Sequence, residues 1–468
     1  MHSAALHSHV VALSEHPHID VEIYEGASQL GEIGAGIGIL PRVWEIIKRL
    51  GLDTELLKCT DSKPVEEPGM HVLMTWSDRR SQAAIYDPVP TFRFRKSDQN
   101  IGSSFYTLMI KGELNRFSSF SRVLICLFPG TFMFFHRADF QRVLLRRLQD
   151  SCKTHCSKRL LSYKQQLSGP IELLFEDGST ITCDVLIGAD GLKSAVRRTF
   201  LSEQAECALS EKRWAEVDNI RASVDPVWSG TTAYRAVIPA ERLRARTPDH
   251  RSLREPTVFV GKNGHIITYP LSKGEMVNLA AFVARHDLEN TSLHEPWTSA
   301  ADISELTYMF SNWETDVQVL IECVESPLRW AIHTVKPLGS FASGHVALVG
   351  DAAHAMTPHQ GSGAGQAIED AYILATVLGH STTNKCSISR ALHVYDTIRR
   401  PVALQVMERS RRNGRFFSLH GLDLENLDDE KQLLMLQKLG VTVAENWEWA
   451  WTTSIDGPMK AALQMLES

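Results

Sequence analysis

The chain is poor in cysteine, has no long apolar run and carries no surplus of positive charge. Eight cysteines are scattered through 468 residues. Cys152 and Cys156 lie close together with His155 between them, but no further ligands stand at metal-binding spacing, so no metal site is expected. The pattern fits reduced thiols and a cytoplasmic protein. The most apolar stretch, Val123 to Phe135, contains Pro129 and Gly130 and is too short to span a bilayer, so no transmembrane segment is expected. No secretory signal is visible at Met1. The 49 Lys and Arg against 55 Asp and Glu leave a net charge of −6, which argues against a nucleic-acid partner. Internal repeats and low-complexity tracts are missing as well. What is present is enough chain for two or more domains, with 43% hydrophobic and 22% charged residues, as in a soluble globular enzyme.

Ile19, Val21 and Ile23 alternate with polar residues and predict a strand ending at Glu25, preceded by a helix end near Val10 to Glu15. Helices are expected over Pro41 to Leu50, stopped by Gly51, and over Asp139 to Leu148. Ile171 to Phe175 and Ile181 to Ile187 read as strands around the turn at Asp177-Gly178. Between Ala222 and Trp330 the pattern changes to strands (Thr232 to Ile238, Thr257 to Val260, His265 to Tyr269, Val277 to Val283), followed by a helical stretch from Ile303 to Val324. That region predicts a separate, mostly antiparallel domain inserted into a discontinuous α/β nucleotide-binding domain. From about Arg409 the chain reads as helical. Trp447, Trp449 and Trp451 are expected there as packing anchors.

Four motifs carry chemistry. The run GHVALVGDAAHAMTPHQGSGAGQAIEDAYILA, Gly344 to Ala375, is a buried strand ending at Gly350-Asp351, then a turn with Gly361, Gly363 and Gly365, then a helix. Its glycines allow close backbone approach to a ligand, the helix start favours an anionic group, and Asp351 can accept a hydrogen bond from a hydroxyl. The run CDVLIGADGLKSAVRR, Cys183 to Arg198, is a strand followed by an Asp190-Gly191 turn and a helix near Lys193. His136-Arg137-Ala138-Asp139 opens a helix, where the Arg137 guanidinium suits phosphate or ribose oxygens. Glu25 ends its strand, the position from which an acidic residue binds ribose hydroxyls in dinucleotide folds. GEIGAGIGI, Gly31 to Ile39, follows it.

Together these motifs resemble the group A FAD-dependent aromatic monooxygenases, most closely the salicylate hydroxylase-like members. The resemblance implies an FAD-binding Rossmann-like domain formed by residues 1–65, 132–205 and 336–408. It implies an α+β substrate domain of mostly antiparallel strands from 66–131 and 206–335, and a helical C-terminus over 409–468. It implies FAD contacts from Glu25, Arg137, Asp190, Gly191, Asp351, Pro358, Gly361, Gly363 and Ala364. The expected reaction hydroxylates a small phenolic or aromatic-acid substrate with molecular oxygen and NADH or NADPH, through a flavin C4a-hydroperoxide, with no covalent nucleophile and no essential metal. Tyr234, Arg235, His265 and Tyr269 are candidates for touching the substrate. His354 and His359 are expected mainly as structural hydrogen-bonding groups.

Two features depart from the resemblance. A Gly-x-Gly-x-x-Gly fingerprint should precede Glu25 by about 20 residues, and that window holds MHSAALHSHVVA instead. The expectation is a truncated first strand and weak FAD binding; a degenerate binding protein is one alternative reading, and a dehydrogenase or epoxidase on the same scaffold is another. The segment 110–130, IKGELNRFSSFSRVLICLFPG, lacks periodicity and turn chemistry and is expected to be an insertion.

Overall fold

Alternation in the strand Val227–Pro239 organises the largest sheet among the described residues. Tyr234 and Ile238 face one side of an eight-stranded sheet, and Ala233 and Arg235 face the other. A computed structural model describes residues 10–30, 36–60, 89–110, 132–148, 152–165, 169–272 and 274–468. In spatial order the sheet runs Thr298–Ala300, Leu328–Thr334, Val227–Pro239, Met276–Ala284, Gly264–Leu271, Thr257–Gly261, Val89–Lys96 and Ser103–Ile110. All pairs are antiparallel except Thr257–Gly261 with Val89–Lys96. The register places His265 opposite Phe282 and Ile267 opposite Ala280, so His265, Ile267 and Tyr269 share the face that carries Arg235.

The other face is closed by two helices, Ile303–Met309 and Thr315–Glu322. They pack Leu306, Val317 and Leu320 onto Ile266, Val277 and Leu279. The first begins with a capping box in which Asp302 and Glu305 satisfy opposite backbone N–H groups. The single helical stretch expected from Ile303 to Val324 is therefore two helices, broken at Ser311 to Glu314, where Glu314 leaves the helical path to pair with Arg95.

On the side expected to bind a nucleotide, Glu22–Tyr24 runs parallel to Lys153–His155, and Leu186–Gly188 runs parallel to Val346–Leu348. Gly36–Ile39 pairs antiparallel with Met133–His136. The strand expected over Ile181 to Ile187 is two. Thr180–Cys183 stays in a small antiparallel sheet with Ile171–Phe175, and Leu186–Gly188 crosses to the parallel pair. The buried helix Gly363–Leu378 and the 30-residue helix Ile388–Phe417 pack behind these strands. The helix Asp429–Trp447 then brings Leu436, Val443 and Trp447 against Phe92, Phe94 and Phe417. Trp447 and Trp451 are buried, as expected of packing anchors. The fold is mixed α/β with one large, mostly antiparallel sheet and a helical C-terminus. No described helix is long and apolar enough to cross a membrane. Residues 1–9, where the glycine fingerprint would be sought, lie outside the described residues, as do 111–130 of the expected insertion.

Candidate active site

The fully buried strand Val346–Leu348 delivers Gly350 at φ 56°, ψ −138°, a conformation costly for any residue with a Cβ. That twist turns the chain into the short helix Asp351–His354, whose Ala352, Ala353 and His354 are buried. Asp351 is half-buried, and no described residue donates a hydrogen bond to its carboxylate. Pro358 and Gly361 close a turn through the Gly361 N–H to the Pro358 carbonyl at 3.0 Å. Gly363 and Ala364 form the first turn of the helix Gly363–Leu378. The expected glycine turn is thus shorter than the sequence suggested, because Gly363 and Gly365 are already helical.

Asp190 is committed to its own loop. One carboxylate oxygen accepts the Ser194 hydroxyl, and the other accepts the Ala195 and Val196 N–H groups at 2.7 and 3.0 Å. It helps cap the helix Ala195–Ser210, whose N-cap residue is Ser194. Buried Arg197 ties this loop to the Asp351 turn. Its guanidinium donates to the Leu192 carbonyl at 2.5 Å, the Ala352 carbonyl at 3.0 Å and the Gly191 carbonyl at 3.5 Å. Burial lowers its pKa to about 10, only partly offset by Asp190 and Asp225. Glu25 lies half-buried just after its strand, with one oxygen accepting the Ala27 N–H at 2.8 Å.

Arg137 is the first residue of the helix Arg137–Arg147, which starts two residues earlier than the sequence suggested. It lies close enough to Arg235 that burial and then Arg137 lower the Arg235 pKa. Arg235 forms no ion pair with a described carboxylate. Tyr269 stacks on Phe134 with ring centres 4.3 Å apart, and burial raises its pKa. Tyr234 faces the opposite side of the sheet and donates its hydroxyl to Glu305 at 2.9 Å. Of the two adjacent candidates, only Arg235 shares a face with His265.

Neither ring nitrogen of fully buried His265 has a hydrogen-bond partner among the described residues, and the same holds for Nδ1 of His359. The two rings lie 5.0 Å apart, with Phe282 stacked on His265 at 4.6 Å and Phe417 at its edge. Burial, then His286, pushes His359 down to about 3, and burial with His359 and His286 holds His265 well below the usual imidazole range. Both are neutral near pH 7. Unpaired buried polar atoms are rare because each costs roughly 1–3 kcal/mol, so a cluster of them marks a place for a polar ligand or water. The expected structural role fits His354, which is bonded to Asp370 at 2.6 Å, but not His359. Gly414 of the long helix permits this packing, since a Cβ there would overlap the His359 ring.

Residues 326–410 match the family model described as FAD binding domain. The chain is 33% identical to the FAD-dependent monooxygenase str9 of Strobilurus tenacellus, covering 98% of this chain and 94% of that one. It is 31% identical to a salicylate hydroxylase of Pseudomonas putida, with 97% and 90% covered. A solved salicylate hydroxylase substrate complex superposes with a TM-score of 0.75 at 29% identity, over 98% of this chain and 96% of that one. The chain is an FAD-dependent monooxygenase. Within that class it belongs to the aromatic, salicylate hydroxylase-like family, and its cofactor is FAD. The Asp351 carboxylate without a donor among the described residues, the glycine turn before a helix N-terminus and the Arg137–Arg235 cations suit a polyhydroxylated, anionic cofactor.

Proposed function

We propose that the chain hydroxylates a small aromatic acid bearing a ring hydroxyl, using NADH or NADPH and molecular oxygen. The observation that carries this reading is the sheet face on which Arg235 lacks a carboxylate partner among the described residues and His265 has two unpaired nitrogens. In this reading Arg235 takes the carboxylate, and the neutral imidazoles of His265 and His359 accept the ring hydroxyl, which favours its more reactive phenolate character. Phe282 and Phe417 keep water away from these groups. Asp351, Glu25, Arg137, the Gly191 loop and Pro358 to Ala364 hold FAD, with Asp190 acting through its cap. Bound FAD, reduced by the nicotinamide, supplies the oxygen activation.

The test is NADH and NADPH oxidation by purified protein with a panel of hydroxylated aromatic acids and matching phenols without the carboxylate. The acids should stimulate oxidation most strongly. Arg235→Ala should raise KM for the acids by roughly tenfold to a hundredfold, the loss of a charge-assisted hydrogen bond, and leave that for the phenols within a few-fold. Equal losses on both series would remove Arg235 from carboxylate binding.

A further inference from the structure

The helix Gly363–Leu378 carries an acidic pair, Glu369 and Asp370, that is fully buried behind the Asp351 turn. Asp370 divides its two oxygens between different parts of the fold. Oδ1 accepts Nε of Arg399, from the helix Ile388–Phe417, at 2.9 Å. Oδ2 accepts the Gly350 N–H at 2.9 Å and meets Nε2 of His354 at 2.6 Å. Gly350 and His354 bracket Asp351, so one carboxylate oxygen grips both ends of the turn that presents it.

The rest of the cluster holds Asp370 in place. Arg399 also donates to Glu369 Oε2 at 2.7 Å and to Gln366 Oε1 at 2.8 Å. Arg42 donates to both Glu369 oxygens at 2.9 and 3.1 Å and reaches Thr453 Oγ1 and the Ser454 carbonyl at 2.8 and 2.7 Å. Tyr395 donates its hydroxyl to the Leu348 carbonyl at 2.9 Å, fixing the strand just before the turn. Such a cluster is costly to bury and is destabilised when one partner is removed. Burial opposes ionisation of Asp370, but His354 and Arg399 outweigh it and keep the carboxylate below the usual range.

A hydrophobic helix would pack against this strand at lower cost, so the charges call for another account. We propose that Asp370 is a positioning residue for the cofactor site: by gripping Gly350 and His354 together it sets the Asp351 carboxylate in the orientation that receives an FAD hydroxyl. The inference rests on the assignment of Asp351 to FAD made above. Asp370 touches neither cofactor nor substrate in this account and acts only through the turn.

Asp370→Asn separates the roles, because an amide retains one acceptor for Arg399 but turns a donor toward the Gly350 N–H. FAD dissociation constants of parent, Asp370→Asn, Asp351→Ala and the double variant are measured on apo-protein by quenching of flavin fluorescence, with thermal melts without FAD alongside. Asp370→Asn should weaken FAD by about tenfold in the parent background, the worth of one lost buried bond to a charged group. In the Asp351→Ala background the same change should cost less than about twofold, since groups acting through one another are non-additive. Unchanged FAD affinity in Asp370→Asn, or an equal loss in both backgrounds, overturns the inference and makes the cluster merely structural. If Asp370→Asn yields no folded protein, His354→Leu replaces it in the same cycle under the same two criteria, and His354→Gln, which keeps an N–H for Asp370, should recover most of the affinity. A parent that takes up no FAD overturns the cofactor site as a whole. A parent whose affinity is untouched by Asp351→Ala overturns the role of Asp351, and this inference with it, while leaving the family intact.

Discussion

Asp351→Ala should weaken FAD binding by about 1–3 kcal/mol, roughly 5- to 150-fold in Kd, because a hydroxyl of the bound cofactor then loses its acceptor in a partly buried site. Flavin fluorescence titration reads this directly, and an unchanged Kd would remove Asp351 from the site. The imidazoles make a second prediction at this scale. An unfolded histidine takes up a proton near pH 6.5, whereas folded His286 and His359 are held down to about 4 and about 3. Between those values the unfolded chain binds more protons than the folded one. The stability that depends on these groups is complete above about pH 6.5, falls as the pH drops, and is gone below the folded values. Thermal melts from pH 8 to pH 4.5 should show the decline, and His359→Phe should make it shallower. An identical slope in the variant would mean that other groups dominate acid sensitivity. Asp351, Arg137 and the glycine turn were legible because each sits in a local motif. Asp370 was not: an Asp beside a Glu on a helix reads as a solvated face, and only the packing of Arg399 on Asp370 and of Arg42 on Glu369 shows the pair buried.

Helix ends decide the role of Asp190 more than the cofactor does. Its carboxylate satisfies the N–H groups of Ala195 and Val196, so Asp190→Ala should cost about 0.5–2 kcal/mol of apo-protein stability, the usual worth of an N-terminal cap. FAD affinity should fall less than in Asp351→Ala. Unaltered apo stability with lost FAD binding would make Asp190 a direct ligand instead. The sequence singles out Asp190 but not its contacts, because an Asp-Gly turn before a helix has the same pattern whether the side chain faces a ligand or a backbone. Tyr234 and Arg235 are both candidates for the pocket, yet as neighbours on one strand they lie on opposite faces of the sheet. Which face meets the cofactor depends on where the helices Ile303–Met309 and Thr315–Glu322 pack, a long-range choice that no local pattern carries. Splitting of the strand expected over Ile181 to Ile187 has a similar origin: its apolar alternation runs on through a change of sheet.

At the scale of the whole molecule, the two halves meet where the sheet face bearing Arg235, His265 and Tyr269 approaches the Pro358 to Gly361 turn and the helix end at Phe417. The C-terminal helices close this junction: Trp449 donates to the Gln360 side chain at 3.3 Å, and Gln360 in turn donates to the Asn446 carbonyl at 3.1 Å. That arrangement places the imidazoles of His265 and His359 beside the Pro358 to Gly361 turn, where the proposed hydroxylation of a phenolic acid would use them. The most direct measurement supplies oxygen-18 gas to the protein with FAD, NADH or NADPH and a hydroxylated aromatic acid that stimulates nicotinamide oxidation, and reads the product by mass spectrometry. The account predicts one labelled oxygen atom in each product ring, with none taken from water. A product labelled from water, or nicotinamide oxidation that yields only hydrogen peroxide with every aromatic acid and phenol tried, would contradict it.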